Sequence, residues 1–210
     1  MKISRIALAA GLLAASFSVS ADYFGTLSGR SANPANGPKL SVEGSFTTSG
    51  DYQNLGARIN YGVNESLTIY GDFGLSENIG DGNSFGAGIF YHIPDMSDGL
   101  DVAIQASYHT ATLDFGFSRD TDWTALGAAI LVSPKQAMNP NTGLNWYANA
   151  GFTNLSIEIP FGRFFVASDD SFEIQLGGGI YMPAGPGTFY AGADFLDEFI
   201  IGAGYRFGIQ

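Results

Sequence analysis

From residue 39 onward, apolar side chains occupy every second position for about ten residues at a time, and each run stops at Gly, Asn, Asp, Ser or Pro. Successive side chains of an extended chain point to opposite faces, so each run is a strand with one apolar face. The first, 39–47, sets Leu40, Val42, Gly44 and Phe46 against Lys39, Ser41, Glu43, Ser45 and Thr47. The second, 52–63, sets Leu55, Ala57, Ile59 and Tyr61 against Asn54, Gly56, Arg58, Asn60 and Gly62. Eight more runs follow, over 67–75, 84–92, 100–109, 122–132, 144–152, 172–180, 188–195 and 199–207. The run 122–132 is apolar on both faces, Leu126, Ile130 and Val132 opposing Trp123, Ala125, Ala129 and Leu131, and its orientation stays open. The pattern predicts an all-β, antiparallel up-and-down barrel of about ten strands. Losing the ambiguous run and a neighbour would give about eight strands, and extra strands within 153–171 would give about twelve.

Composition decides which way the apolar faces look. A soluble sheet carries many Lys and Glu on its outer side. Here the polar faces hold Gly, Ser, Asn, Gln and isolated charges, and only 14% of all residues are charged against 45% hydrophobic. Such a face is enclosed, which turns the apolar one toward lipid. Run length agrees, because a tilted strand crosses a bilayer with ~9–11 residues whereas globular strands average ~5–6. Aromatics gather near strand ends: Phe46, Tyr52, Phe73, Phe85, Tyr108, Trp123, Phe152 and Phe172 toward one rim, Tyr61, Tyr91, Trp146 and Phe207 toward the other. That is the placement of membrane-interface girdles.

Before the strands, Lys2 and Arg5 precede an apolar stretch that ends in Val19-Ser20-Ala21. Residues 1–21 read as a secretory signal peptide, too short in its apolar part for the ~20 residues of a spanning helix. Residues 22–38, with Pro34 and Pro38 and little alternation, read as a disordered periplasmic lead-in, preferred over a short plug, and 39–210 as one transmembrane barrel domain. Two of the nine basic residues and no acid lie in the leader, so the mature chain sets seven basic against twenty acidic side chains. That balance, with its cations scattered singly, speaks against a nucleic-acid partner. The absence of Cys removes a disulfide framework, a thiolate zinc site and a cysteine nucleophile together.

On these strand phases Glu43, Arg58, Asp72 and Arg206 point into the lumen from the first, second, third and last strands, which become consecutive when the sheet closes. Their alternating signs predict an internal salt-bridge network, since a lumen charge that loses hydration needs a partner. Such a network either fills the barrel or forms a constriction. About ten strands lie near the small end, where side chains can fill the interior. Catalytic chemistry is thin. His92 and His109, the only histidines, fall at opposite ends of different strands and share no metal site. Ser107 and His109 share an inward face without a third orienting group. The acids around Asp98 and Asp120 lack the spacing of a calcium loop, and the Gly-x-Gly pairs lie within strands rather than before a helix. No catalytic residue, metal or cofactor is expected.

The last run, Ile201-Gly202-Ala203-Gly204-Tyr205-Arg206-Phe207, resembles the C-terminal strand signal of bacterial outer-membrane barrels. Gly202, Tyr205 and Phe207 match its glycine, hydrophobic and aromatic positions. The resemblance implies export through the periplasm, insertion by the barrel-assembly machinery, and contact with outer-membrane lipid and lipopolysaccharide. With both termini periplasmic, the connections at 48–51, 76–83, 110–121, 153–171 and 196–198 are extracellular, and the apolar stretch 155–166 is expected to project as a hairpin. The expected function is a small integral barrel of structural, adhesive or surface-interaction type, not an enzyme. A narrow porin-like channel for ions or small polar solutes is the alternative, and a lipid-modifying enzyme is a remote third.

Overall fold

Each alternating run is an extended strand in the computed structural model, which describes residues 27, 29–34, 37–50, 52–77, 81–114, 120–161, 165–196 and 199–209. The expected signal peptide, 1–21, lies outside the described residues. The strands are β1 (Leu40–Ser49), β2 (Tyr52–Gly62), β3 (Leu67–Glu77), β4 (Asp81–Ile93), β5 (Leu100–Asp114), β6 (Thr121–Pro134), β7 (Asn145–Phe161), β8 (Phe165–Ala184), β9 (Gly187–Phe195) and β10 (Phe199–Ile209). Each pairs antiparallel with its neighbour in sequence, and β10 returns to pair with β1 from Leu40↔Ile209 to Thr48↔Ile201, closing the barrel. Short turns set the register. In the β2–β3 turn the Asn64 side chain accepts hydrogen bonds from the amides of Ser66 and Leu67 at 2.9 and 2.8 Å.

The two faces of the wall are chemically inverted relative to a soluble protein. Leu55, Ile59, Ile69, Ile89, Leu126, Ile130, Leu176 and Ile201 are exposed on the outside, while Ser41, Thr47, Asn54, Asn60 and Gln105 are buried inside. Leaving a large apolar side chain in water forfeits about 1.5–3 kcal/mol of burial, and soluble monomers do not carry so continuous an apolar band. A bilayer removes that cost. Closure removes the other, because no strand edge is left to face hydrocarbon. The fold and its exterior are those of a transmembrane β-barrel.

The rim is uneven. Pairing of β7 with β8 continues to Phe161↔Phe165, whereas β9 joins β8 only from Leu176↔Phe195. The β7–β8 hairpin therefore rises past β9. On its outer face the Phe152 and Phe172 rings stack with centroids 5.4 Å apart. Beyond them the exposed positions among the described side chains are Asn154, Glu158, Ser168 and Asp170.

Three sequence expectations are corrected. The strand β6 is oriented with Leu126 and Ile130 outside, so Trp123 is an interior residue, 2% exposed, rather than a membrane-interface aromatic. Register puts Trp123 opposite Ala111 and Ile157, within an apolar cluster with Leu113, Leu155, Leu196 and Ile200. Both faces of β6 are apolar because the lumen itself is apolar at this level. Tyr52 is likewise interior, its hydroxyl 2.7 Å from Ser76 Oγ. The third correction concerns the segment before β1: Leu27, Arg30 and Ala32 are buried inside the barrel, so the described part of 22–38 is a short plug, not a lead-in.

Candidate functional site: the charged belt of the lumen

Cross-strand register lines up the inward charges in one row. Arg206 faces Glu43, Glu43 faces Arg58, and Arg58 faces Asp72 across β10, β1, β2 and β3. Arg58 grips Asp72 with two hydrogen bonds, Nε to Oδ1 at 2.5 Å and Nη2 to Oδ2 at 2.9 Å, the bidentate fork that a guanidinium offers a carboxylate. The Tyr70 ring lies 4.2 Å from the same guanidinium carbon and supports it through its π face. Next in the row is Gly86, which faces both Asp72 and His109. A Cβ on Gly86 would strike the imidazole of His109. Glycine there lets the ring lie over β4, so that His109 Nε2 reaches Asp72 Oδ2 at 2.8 Å.

The other half of the row holds the plug. Arg206 Nε donates to Glu43 Oε1 at 2.8 Å, and its Nη2 donates to the Gly29 carbonyl at 3.2 Å. Arg30 Nη2 donates to the same Glu43 oxygen at 3.0 Å and to Asn60 Oδ1, and Asn60 Nδ2 returns a bond to Glu43 Oε1 at 2.7 Å. Burial, followed by the repulsion of Arg206, pulls the Arg30 guanidinium down to about 10, so it keeps its proton at neutral pH. Gly29 has a φ of 41°, in the left-handed region, and any Cβ on it would run into the Tyr190 ring. Further along, the Ala32 amide donates to Ser133 Oγ at 2.8 Å, and Ala32 packs with Phe90, Ala103, Leu131 and Tyr147. The plug is thus pinned at a carboxylate, a hydroxyl and an apolar patch.

Glu43, Arg58, Asp72 and Arg206 are brought together, in two ion-paired groups set side by side. Sequence reasoning missed Arg30 and His109. For His109 a signal existed, an inward phase and a glycine at the facing position of the intervening strand. For Arg30 there was none, because the segment has no period and its partners are distant in sequence. His92 is elsewhere, 3.3 Å from Asp101. Ser107 is buried on the inner face of β5 with His109. Among the expected interface aromatics, Phe46, Tyr61, Phe73, Phe85, Tyr91, Tyr108, Phe152, Phe172 and Phe207 are exposed on the outer wall, and Trp146 is half-buried there. Of the C-terminal signal residues, Gly202 lies inside beneath Leu27, Phe207 outside, and the Tyr205 hydroxyl donates to the Ala184 carbonyl at 2.7 Å. Chemically the belt offers fixed charge and hydrogen bonds and holds a segment across the bore.

No family model matches the chain, and no curated protein matches it. Among solved structures it is similar to the N-terminal β-barrel domain of Pseudomonas aeruginosa OprF, with 13% identity over 80% of this chain and 95% of that one, TM-score 0.39. It is also similar to the KdgM porin in complex with disordered oligogalacturonate, with 7% identity over 81% and 99% of the two chains, TM-score 0.48. Neisserial surface protein A matches with 11% identity over 81% and 94%, TM-score 0.41. The closed ladder, the apolar exterior and the inward-facing charges and amides define the class on their own terms: a small transmembrane β-barrel of the bacterial outer-membrane kind.

Proposed function

We propose that this protein is an integral outer-membrane barrel with a structural, adhesive or surface-interaction role, closed to solutes and not an enzyme. The observation that supports this most is the filled lumen: Arg30 and Ala32 occupy one half, and Trp123, Leu155, Ile157 and Ile200 pack the other. Ser107 and His109 are buried inside the wall, His109 already held by Asp72, which leaves a lipid substrate no access to them. Residues 1–21 direct export through the periplasm, the strand with Gly202, Tyr205 and Phe207 engages the assembly machinery, and the outer wall meets lipid and lipopolysaccharide. The β7–β8 hairpin then stands on the cell surface as the part available to an extracellular ligand.

The cysteine-free chain makes the test direct. Ser168→Cys should react with a membrane-impermeant maleimide on intact cells, and Asp95→Cys, at the other end, should react only after lysis. Joining Glu158 to Ser168, which are register partners, through Asn-Gly should spare folding and abolish the surface phenotype. Labelling of Asp95→Cys alone on intact cells would overturn the reading. A narrow channel for ions or small polar solutes is the second reading, favoured by the charged belt and the non-covalent tether of the plug; it requires the plug to withdraw and the Trp123–Leu155 cluster to part.

A further inference from the structure

Surplus charge and empty space coincide at one place in the lumen. Arg30 and Arg206 both donate to Oε1 of Glu43, while Asp72 is held by Arg58 and His109. Among the described residues of the belt, three guanidiniums therefore share two carboxylates, in a chain whose overall charge is −11. The buried acid of β9, Asp194, is hydrogen-bonded to Asn149 and does not balance them. It lies six residues along from Thr188, the register partner of Arg206, or about 20 Å at strand spacing. A cation taken out of water without full neutralisation is costly and draws a counter-charge.

A cavity of about 250 Å³ opens beside that surplus, between the plug and the wall near the start of β1 and the end of β10. Every charged residue lining it is a cation: Arg30, Arg206 and Lys135. Ser41, Asn60 and Asn145 add neutral hydrogen-bonding groups. The nearby acids Asp95 and Asp101 line a separate cavity, which meets the first only at Asn33 and Lys135. The volume lies below the ~300 Å³ at which pockets begin to take drug-sized ligands, so it suits a small solute.

We infer that this cavity is a binding site for a small oxyanion, a solute bearing a carboxylate or phosphate group, seated among Arg30, Arg206 and Lys135. The inference does not depend on the surface role, since a closed barrel and a channel would both keep the site.

The test titrates the full chain, folded in detergent micelles, with inorganic phosphate and separately with acetate, by calorimetry at constant ionic strength. Saturable binding of at least one of the two is expected, and the two arms tell which oxyanion is preferred. Arg206→Gln should weaken it by at least about tenfold, the loss for one charge-assisted hydrogen bond. Lys135→Gln, on the exposed rim, should weaken it about two- to fivefold and leave the circular dichroism spectrum unchanged. Lys135→Glu should weaken it further, and these two rim variants suffice if Arg206→Gln fails to fold. No saturable heat with either anion, or binding that the variants leave intact, overturns the proposal.

Discussion

Between the belt and the start of β1 the barrel interior is lined by charges, amides and an apolar patch around Phe90 and Leu131 and holds a segment from outside the sheet, whereas toward the β7–β8 hairpin the wall supplies the apolar filling of Trp123, Leu155, Ile157 and Ile200. The first half is directional. Glu43 Oε1 alone receives bonds from Arg30, Arg206 and Asn60, so one atom secures the plug, the closing strand and β2 together. The second half has no such keystone, because apolar contacts are many and individually weak. Polar filling is therefore expected to fail abruptly when one partner is lost, and apolar filling to weaken in proportion to the volume removed.

The largest effect is expected at the keystone. Glu43→Ala leaves Arg30 and Arg206 buried without their carboxylate and should cost about 3–5 kcal/mol in urea unfolding of the micelle-bound barrel. In the other half, Leu155→Ala should cost about 2–5 kcal/mol, the range for a buried leucine whose cavity partly collapses. Near-isosteric changes sharpen the contrast: Leu155→Met should cost less than about 1.5 kcal/mol, and Glu43→Gln, equally conservative in shape, should cost more than that. Smaller and more local, Arg30→Gln should lower the opening free energy of the plug by about 1.5–3 kcal/mol, the worth of a hydrogen bond to a charged group. Hydrogen exchange at the Ala32 amide reports it, with strand amides unchanged. The smallest effect is within the apolar half, at the β1–β2 turn, where Tyr52→Phe removes the hydroxyl bonded to Ser76 and should cost about 0.5–1.5 kcal/mol. If Leu155→Met proved as damaging as Glu43→Gln, the distinction between the halves would fail.

The same contrast explains what could be read from the sequence. Where the lumen is polar, alternation is unambiguous: Ser41, Glu43, Ser45 and Thr47 against Val42 and Phe46 gave both the strand and its inner face, and with them the row of Glu43, Arg58, Asp72 and Arg206. Where the lumen is apolar, period two loses its meaning, because lipid and an apolar core select the same residues. Trp123 and Tyr52 were misplaced for that reason. The placement of the plug is illegible for another. A non-repeating segment is placed by tertiary partners, here Glu43, Asn60 and Ser133, and no local pattern encodes them. Nor did the four-residue row call for Arg30, since its two cations and two carboxylates already balanced.

The most direct measurement of a closed lumen is the current carried by the unaltered full chain in a planar lipid bilayer. With Arg30 seated on Glu43 below and the Trp123–Leu155 cluster above, the barrel should insert without steady unitary currents. Steady ohmic steps from that protein, with its plug intact, would contradict the account.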